Sequence, residues 1–147
     1  MKKNLLLSLL AVTVMTGCGS HQSTVSPLRA DLAVQHVCIE RNPAVTIGDF
    51  LPAVEDGFAR HGISYRLYLG DMPEKCDSTV KYTALRSWDL KTFLREARID
   101  MFKDDKKVAG IEYYHPQNLN LSKFGSSKEK IAPLMDEMLV EYPVAQK

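Results

Sequence analysis

The chain has 147 residues, with 19 Lys or Arg against 18 Asp or Glu and a formal charge of +1 at pH 7. That near-balance offers none of the basic excess on which nucleic-acid binding rests, so nucleic acid is excluded as a partner. The hydrophobic fraction of 45% and the charged fraction of 25% are those of an ordinary globular domain, long enough to bury its own core.

The first eighteen residues are unlike the rest. Lys2 and Lys3 precede an apolar run from Leu5 to Val14, and small residues then lead to Cys18. This is the layout of a secretory signal peptide, and the run falls short of the roughly 20 apolar residues that span a bilayer. Met15-Thr16-Gly17-Cys18 resembles the lipobox of bacterial lipoproteins, with Met15 standing where Leu is usual. The resemblance implies cleavage before Cys18, a diacylglyceryl thioether on its sulfur and an acylated amino terminus. Gly19 stands where the inner-membrane retention signal of such proteins has Asp, which implies the outer membrane. A plain cleaved signal peptide with an incidental Cys18 is the alternative. At about 0.8 kcal/mol for each buried methylene, several acyl chains hold far better than one. Processing removes two lysines and no acid, taking the formal charge from +1 to −1.

The remaining chain reads as a tether and one domain. Residues 18–31 are polar and turn-rich, a lipidated cysteine followed by a flexible tether, with His21 solvated. A first strand is predicted from Ala33 to Glu40, with Val37 and Ile39 on one side and His36 and Cys38 on the other. Ile47, Phe50, Leu51, Val54 and Phe58 recur at helical spacing. Asp49 is the expected cap and Gly62 the stop, with His61 expected against the last carbonyls. Ile63 to Leu69 alternates as a half-buried strand, followed by strands from Thr79 to Trp88 and from Phe93 to Lys103. A hairpin tip at Asp104-Asp105-Lys106-Lys107 leads into a strand from Val108 to His115. Ser126 and Glu129 have capping-box spacing. They precede a helix whose apolar stripe is Ile131, Leu134, Met135, Met138, Leu139 and Tyr142, with Pro133 inside it.

The expected organisation is therefore residues 1–17 as signal peptide, 18–31 as tether and 32–147 as a single α+β domain. The expected fold is a two-layer sandwich in the order β-α-β-β-β-β-α. Its sheet is mostly antiparallel with about five strands, and both helices cover one face.

With Cys18 committed to lipid, Cys38 and Cys76 remain. An even pair in an exported chain reads as a disulfide, with two free thiols as the alternative. His36, Cys38 and Cys76 would be the start of a zinc or copper site, but one short pair falls short of a ligand set. Lys123 to Lys128 opens a helix where amides attract anions, yet lacks phosphate-loop spacing. No nucleophile-elbow pattern GxSxG is present. Neither cofactor nor catalytic residue is expected, and the chain reads as no enzyme. Most of the strand aromatics are expected in the core, while Tyr68 and Tyr114 point outward by alternation and mark a partner surface.

The arrangement resembles small outer-membrane lipoproteins of Gram-negative bacteria, the resemblance covering residues 1–19. It implies a domain held on the periplasmic face of the outer membrane by lipid on Cys18. The expected role is a non-enzymatic binding or accessory module for an envelope protein or polymer. A small-ligand or metal carrier, and after it an envelope hydrolase, are the competing readings.

Overall fold

A computed structural model describes residues 21–144; residues 1–17, expected as a signal peptide, and Cys18 lie outside the described residues. The strands are β1 (Gln22–Ser26), β2 (His36–Glu40), β3 (Ser64–Tyr68), β4 (Ser78–Asp89), β5 (Lys91–Lys103) and β6 (Lys106–Tyr114). The helices are α1 (Phe50–Arg60) and α2 (Ser127–Met138). All six strands form one sheet in the order β1-β6-β5-β4-β2-β3, and the fold is α+β.

Strands β4, β5 and β6 pair antiparallel in turn, as short hairpin connections dictate, and β1 adds antiparallel to the far edge of β6. The β5–β6 turn is made by Asp104 and Asp105, both at positive φ (49° and 59°), the twist that a two-residue hairpin turn needs. Strand β2 departs from the antiparallel pairing of the others: it lies parallel to both β3 and β4. The sheet is therefore mixed. The physical cause is α1, which carries the chain from the end of β2 back to the start of β3, so the two strands point the same way. A short buried run, Val37-Cys38-Ile39, is the pattern of a strand covered on both faces.

The stretch expected as a tether is also part of the sheet. Gln22–Ser26 is a strand in register with β6, from Gln22 opposite Tyr114 to Ser26 opposite Gly110. Leu28 is fully buried and its N–H donates to the Met138 carbonyl at 2.7 Å. The tether reading of residues 22–28 is therefore wrong, and the domain starts before residue 32. Polar side chains suit this edge strand because one of its faces meets water, while its backbone satisfies the exposed edge of β6.

Both helices pack on one face of the sheet. Between them and the strands lie Val37, Ile39, Phe50, Phe58, Val80, Ile99, Met101, Ile111, Ile131 and Met135. Gly57 lets the helices close together: a Cβ there would come within 2.8 Å of Met135. The capping box at Ser126 and Glu129 is formed. Asp49 does not cap its own helix. Its carboxylate accepts from the Ser127 N–H at 2.7 Å and hydroxyl at 2.8 Å, tying the two helix starts together. His61 likewise leaves its own helix end, with Nε2 2.9 Å from Asp136 Oδ1 on α2 and Nδ1 against the Tyr142 carbonyl.

Candidate functional site

Because side chains alternate along each strand, the sheet face opposite the helices carries a second, polar set of residues. Its rows are fixed by the register. Lys81, Asp100, Gly110 and Ser26 form one row across β4, β5, β6 and β1. Thr83, Arg98, Glu112 and Thr24 form the next, and Leu85, Glu96, Tyr114 and Gln22 the third. Charges of opposite sign meet along these rows. Lys81 pairs with Glu40 of β2 at 3.3 Å, Lys107 with Asp100 at 2.6 Å, and Arg98 with Glu112. The Lys81–Glu40 and Arg98–Glu112 pairs are exposed and contribute little to stability, whereas the Asp100 carboxylate is largely buried.

The connection from β3 to β4, residues 69–77, passes over β2 on this open face. Parallel neighbours on either side of β2 leave it no shorter route. The Cys38–Cys76 disulfide staples it to the strand it crosses, with Cα atoms 5.6 Å apart. Asp77 completes the attachment, accepting from the N–H groups of Gln35 and His36 at 2.9 Å each. Those backbone hydrogen bonds hold its carboxyl below the usual carboxylate range. Between this loop and the outer residues of β4 and β5 lies an open groove of about 740 Å³, bordered by Glu40, Tyr68, Met72, Lys81, Phe102 and Asp105.

Tyr68 and Tyr114 both face outward, as alternation predicts, but the strand order sets them four strands apart. Tyr68 borders the groove and its hydroxyl donates to Glu40 Oε2 at 3.4 Å. Burial, and then the Glu40 charge, raise that hydroxyl above its ordinary range. Tyr114 sits in a separate hollow with Leu85, Arg98 and Gln22. Tyr82 and Tyr113 are core residues.

The disulfide removes both thiols from any metal-ligand set, and His36 Nδ1 is 2.8 Å from the Ser64 hydroxyl. Among the described residues no group of three or more His, Cys, Asp or Glu could hold a metal ion. At the start of α2 the amides of Ser126 and Glu129 are engaged by the capping box and that of Ser127 by Asp49. Three of the amides on which an anion at this helix start would draw are therefore already occupied.

Sequence reasoning missed the hairpin end of the sheet. Trp88 and Leu90, at the β4–β5 turn, are exposed. So are Leu119 and Leu121 in the loop after β6. Lys123 is buried and joins the two segments: its ammonium meets the Asp89 carboxylate and the Asn118 carbonyl. It lies 5.3 Å and 5.4 Å from the ring centroids of Phe93 and Phe124. Gln117 adds a hydrogen bond to the Ser87 hydroxyl at 3.2 Å. Four exposed apolar residues in two distant segments were the available signal, but only the fold brings them to one end.

No protein-family model matches the chain, and no curated protein matches it by sequence. Its fold is similar to a single-substitution variant of PelC from Paraburkholderia phytofirmans, crystallised as a dodecamer. The TM-score is 0.51 and the identity 8%, over 79% of this chain and 98% of that one. A second crystal form of the PelC dodecamer gives a TM-score of 0.49 at 8% identity over the same shares. A minor lipoprotein from Acinetobacter baumannii gives 0.42 at 11% identity, over 82% of this chain and 100% of that one. At such identities the likeness is one of fold. Among the described residues, no helix is long and apolar enough to cross a membrane.

Proposed function

We propose that this chain is an exported lipoprotein, acylated on Cys18 and held on the periplasmic face of the outer membrane. Its domain acts there as a non-enzymatic binding module for an envelope protein or polymer. The reading rests on Met15-Thr16-Gly17-Cys18 behind a short apolar run. The observation that carries the binding role is the open sheet face, where paired surface charges surround the groove bordered by Tyr68. Anchoring confines the domain to a thin layer, which raises its effective concentration for any partner in that layer. PelC, similar in fold, assembles as a dodecamer, and a second copy of this chain is accordingly the first partner to test.

The test places a photo-crosslinking residue at Tyr68, Thr83 or Tyr114, and, as controls on the helix layer, at Lys128 or Glu137. Defined adducts from the sheet positions in intact cells, identified by mass spectrometry, are expected. Adducts confined to the helix layer would overturn the assignment of the binding face.

A further inference from the structure

The hairpin end and the first residue of β1, four residues after Cys18 in the sequence, lie at the same end of the sheet. Strand β4 runs toward the β4–β5 turn, β5 away from it, β6 back toward it, and β1 starts there. Gln22 is level with Tyr114, Glu96 and Leu85 across the sheet. From Leu85 the hairpin continues five residues to Leu90, about 16 Å at the rise of a strand. From Gln22 back to Cys18 there are four residues, which span at most about 14 Å when fully extended. The two lengths nearly match, so with the strands set along the bilayer normal the hairpin apex reaches the surface in which an anchor on Cys18 sits.

The surface at this end suits that position. Leu90 forms the apex, 78% exposed, at φ 60°. A bulky side chain is uncommon in that left-handed region, which favours glycine or asparagine, and at such exposure this leucine adds nothing to the core. Ser87 and Asp89 face the loop after β6, through Gln117 and Lys123. Alternation then sets Trp88, 69% exposed, on the opposite side of the hairpin. The pinned loop brings Leu119 at 94% and Leu121 at 72% exposure to the other side. The apex is thus apolar on both flanks. The Asp89 carboxylate is engaged by Lys123, and Lys91 beside the apex is exposed. An indole among leucines with a nearby cation is the composition of a membrane-interface anchor.

We infer that the β4–β5 apex and the 119–121 loop insert into the interface of the phospholipid bilayer that holds the anchor, giving the domain a second, non-covalent contact and a fixed tilt. The inference rests on acylation of Cys18.

Trp88 is the single tryptophan of the chain, so its fluorescence reports the apex alone. The full chain, purified from membranes and checked by mass for acyl groups, is reconstituted in phosphatidylethanolamine–phosphatidylglycerol vesicles with brominated acyl chains. Trp88 is expected to lose roughly half of its emission to the bromines and to resist aqueous acrylamide, as an interfacial indole does. Leu90→Ser with Leu119→Ser should restore most of the emission. An acylated chain with emission insensitive to brominated lipid overturns the inference while leaving the anchor intact. Protection from acrylamide without lipid quenching would assign the apex to a protein contact, which also overturns it. A chain without acyl groups refutes the anchor, and this inference with it.

Discussion

The ammonium of Lys123 reaches the carboxylate of Asp89 across 34 positions of sequence, and the lysine side chain is only 2% exposed there. A buried lysine without a partner would be expensive. This one has a carboxylate, the Asn118 carbonyl and two aromatic faces, and through them it holds the loop after β6 against the β4–β5 hairpin.

Lys123→Ala should therefore destabilise the domain by about 2 kcal/mol, below the usual cost of breaking a fully buried pair because Asp89 is partly hydrated. Lys123→Met keeps the stem between Phe93 and Phe124 and should lose less. Urea unfolding of both variants measures the difference. Equal stability of wild type and Lys123→Ala would show that the pair does not hold the loop.

The Cys38–Cys76 bridge closes a loop with a sequence separation of 38. Replacing both cysteines by alanine should lower stability by about 3–4 kcal/mol in the chain-entropy account. Hydrogen exchange should accelerate first at residues 69–77, which the bridge staples across β2. Thiol counting under denaturing, non-reducing conditions checks the premise: a reactive Cys38 or Cys76 contradicts it.

Burial pushes the Tyr113 hydroxyl up to about 12, and that hydroxyl has no hydrogen-bond partner. Above its ordinary value of 10 the unfolded chain releases this proton while the folded chain keeps it. Tyr113 should therefore withdraw stability progressively as pH rises from 10 to about 12. Tyr113→Phe should flatten that alkaline decline and, by removing an unpartnered buried hydroxyl, cost little at neutral pH. Unfolding midpoints across pH 7 to 12 test both, and a loss at neutral pH as large as that of a core truncation would contradict the second.

Gly57→Ala should also be destabilising, against the general preference of helices for alanine. The new methyl group meets Met135 Cβ and Cγ at 2.8 Å, atoms too near the backbone to swing aside. Separating α1 from α2 should outweigh the propensity gain by about 1 kcal/mol. A raised thermal midpoint would show that the helices yield freely.

Much of this architecture is legible in the residues themselves. Ile99, Met101, Ile111 and Tyr113 alternate inward, and Ser126 with Glu129 starts a helix where its spacing says it should. Cys38 and Cys76 pair because no third cysteine of the domain competes. What stayed hidden depends on long-range partners. Ser23 and Thr24 look like linker until the edge of β6 gives their backbone something to bond. Val37-Cys38-Ile39 reveals a two-sided burial only once the 69–77 loop covers Cys38. Lys123 carries no local mark of burial, and Trp88 reads as core by residue type although it stands in the open. Of the open face, Tyr68 and Tyr114 are visible by alternation, while the ion pairs around them need the register.

Strand β1 sets how the domain would bear a load. Tension on the chain ahead of Gln22, directed along the strand, acts on all five residue pairs to β6 together, from Gln22–Tyr114 to Ser26–Gly110. That is shear, and the ladder would resist as a unit; a sideways pull would instead open it one rung at a time.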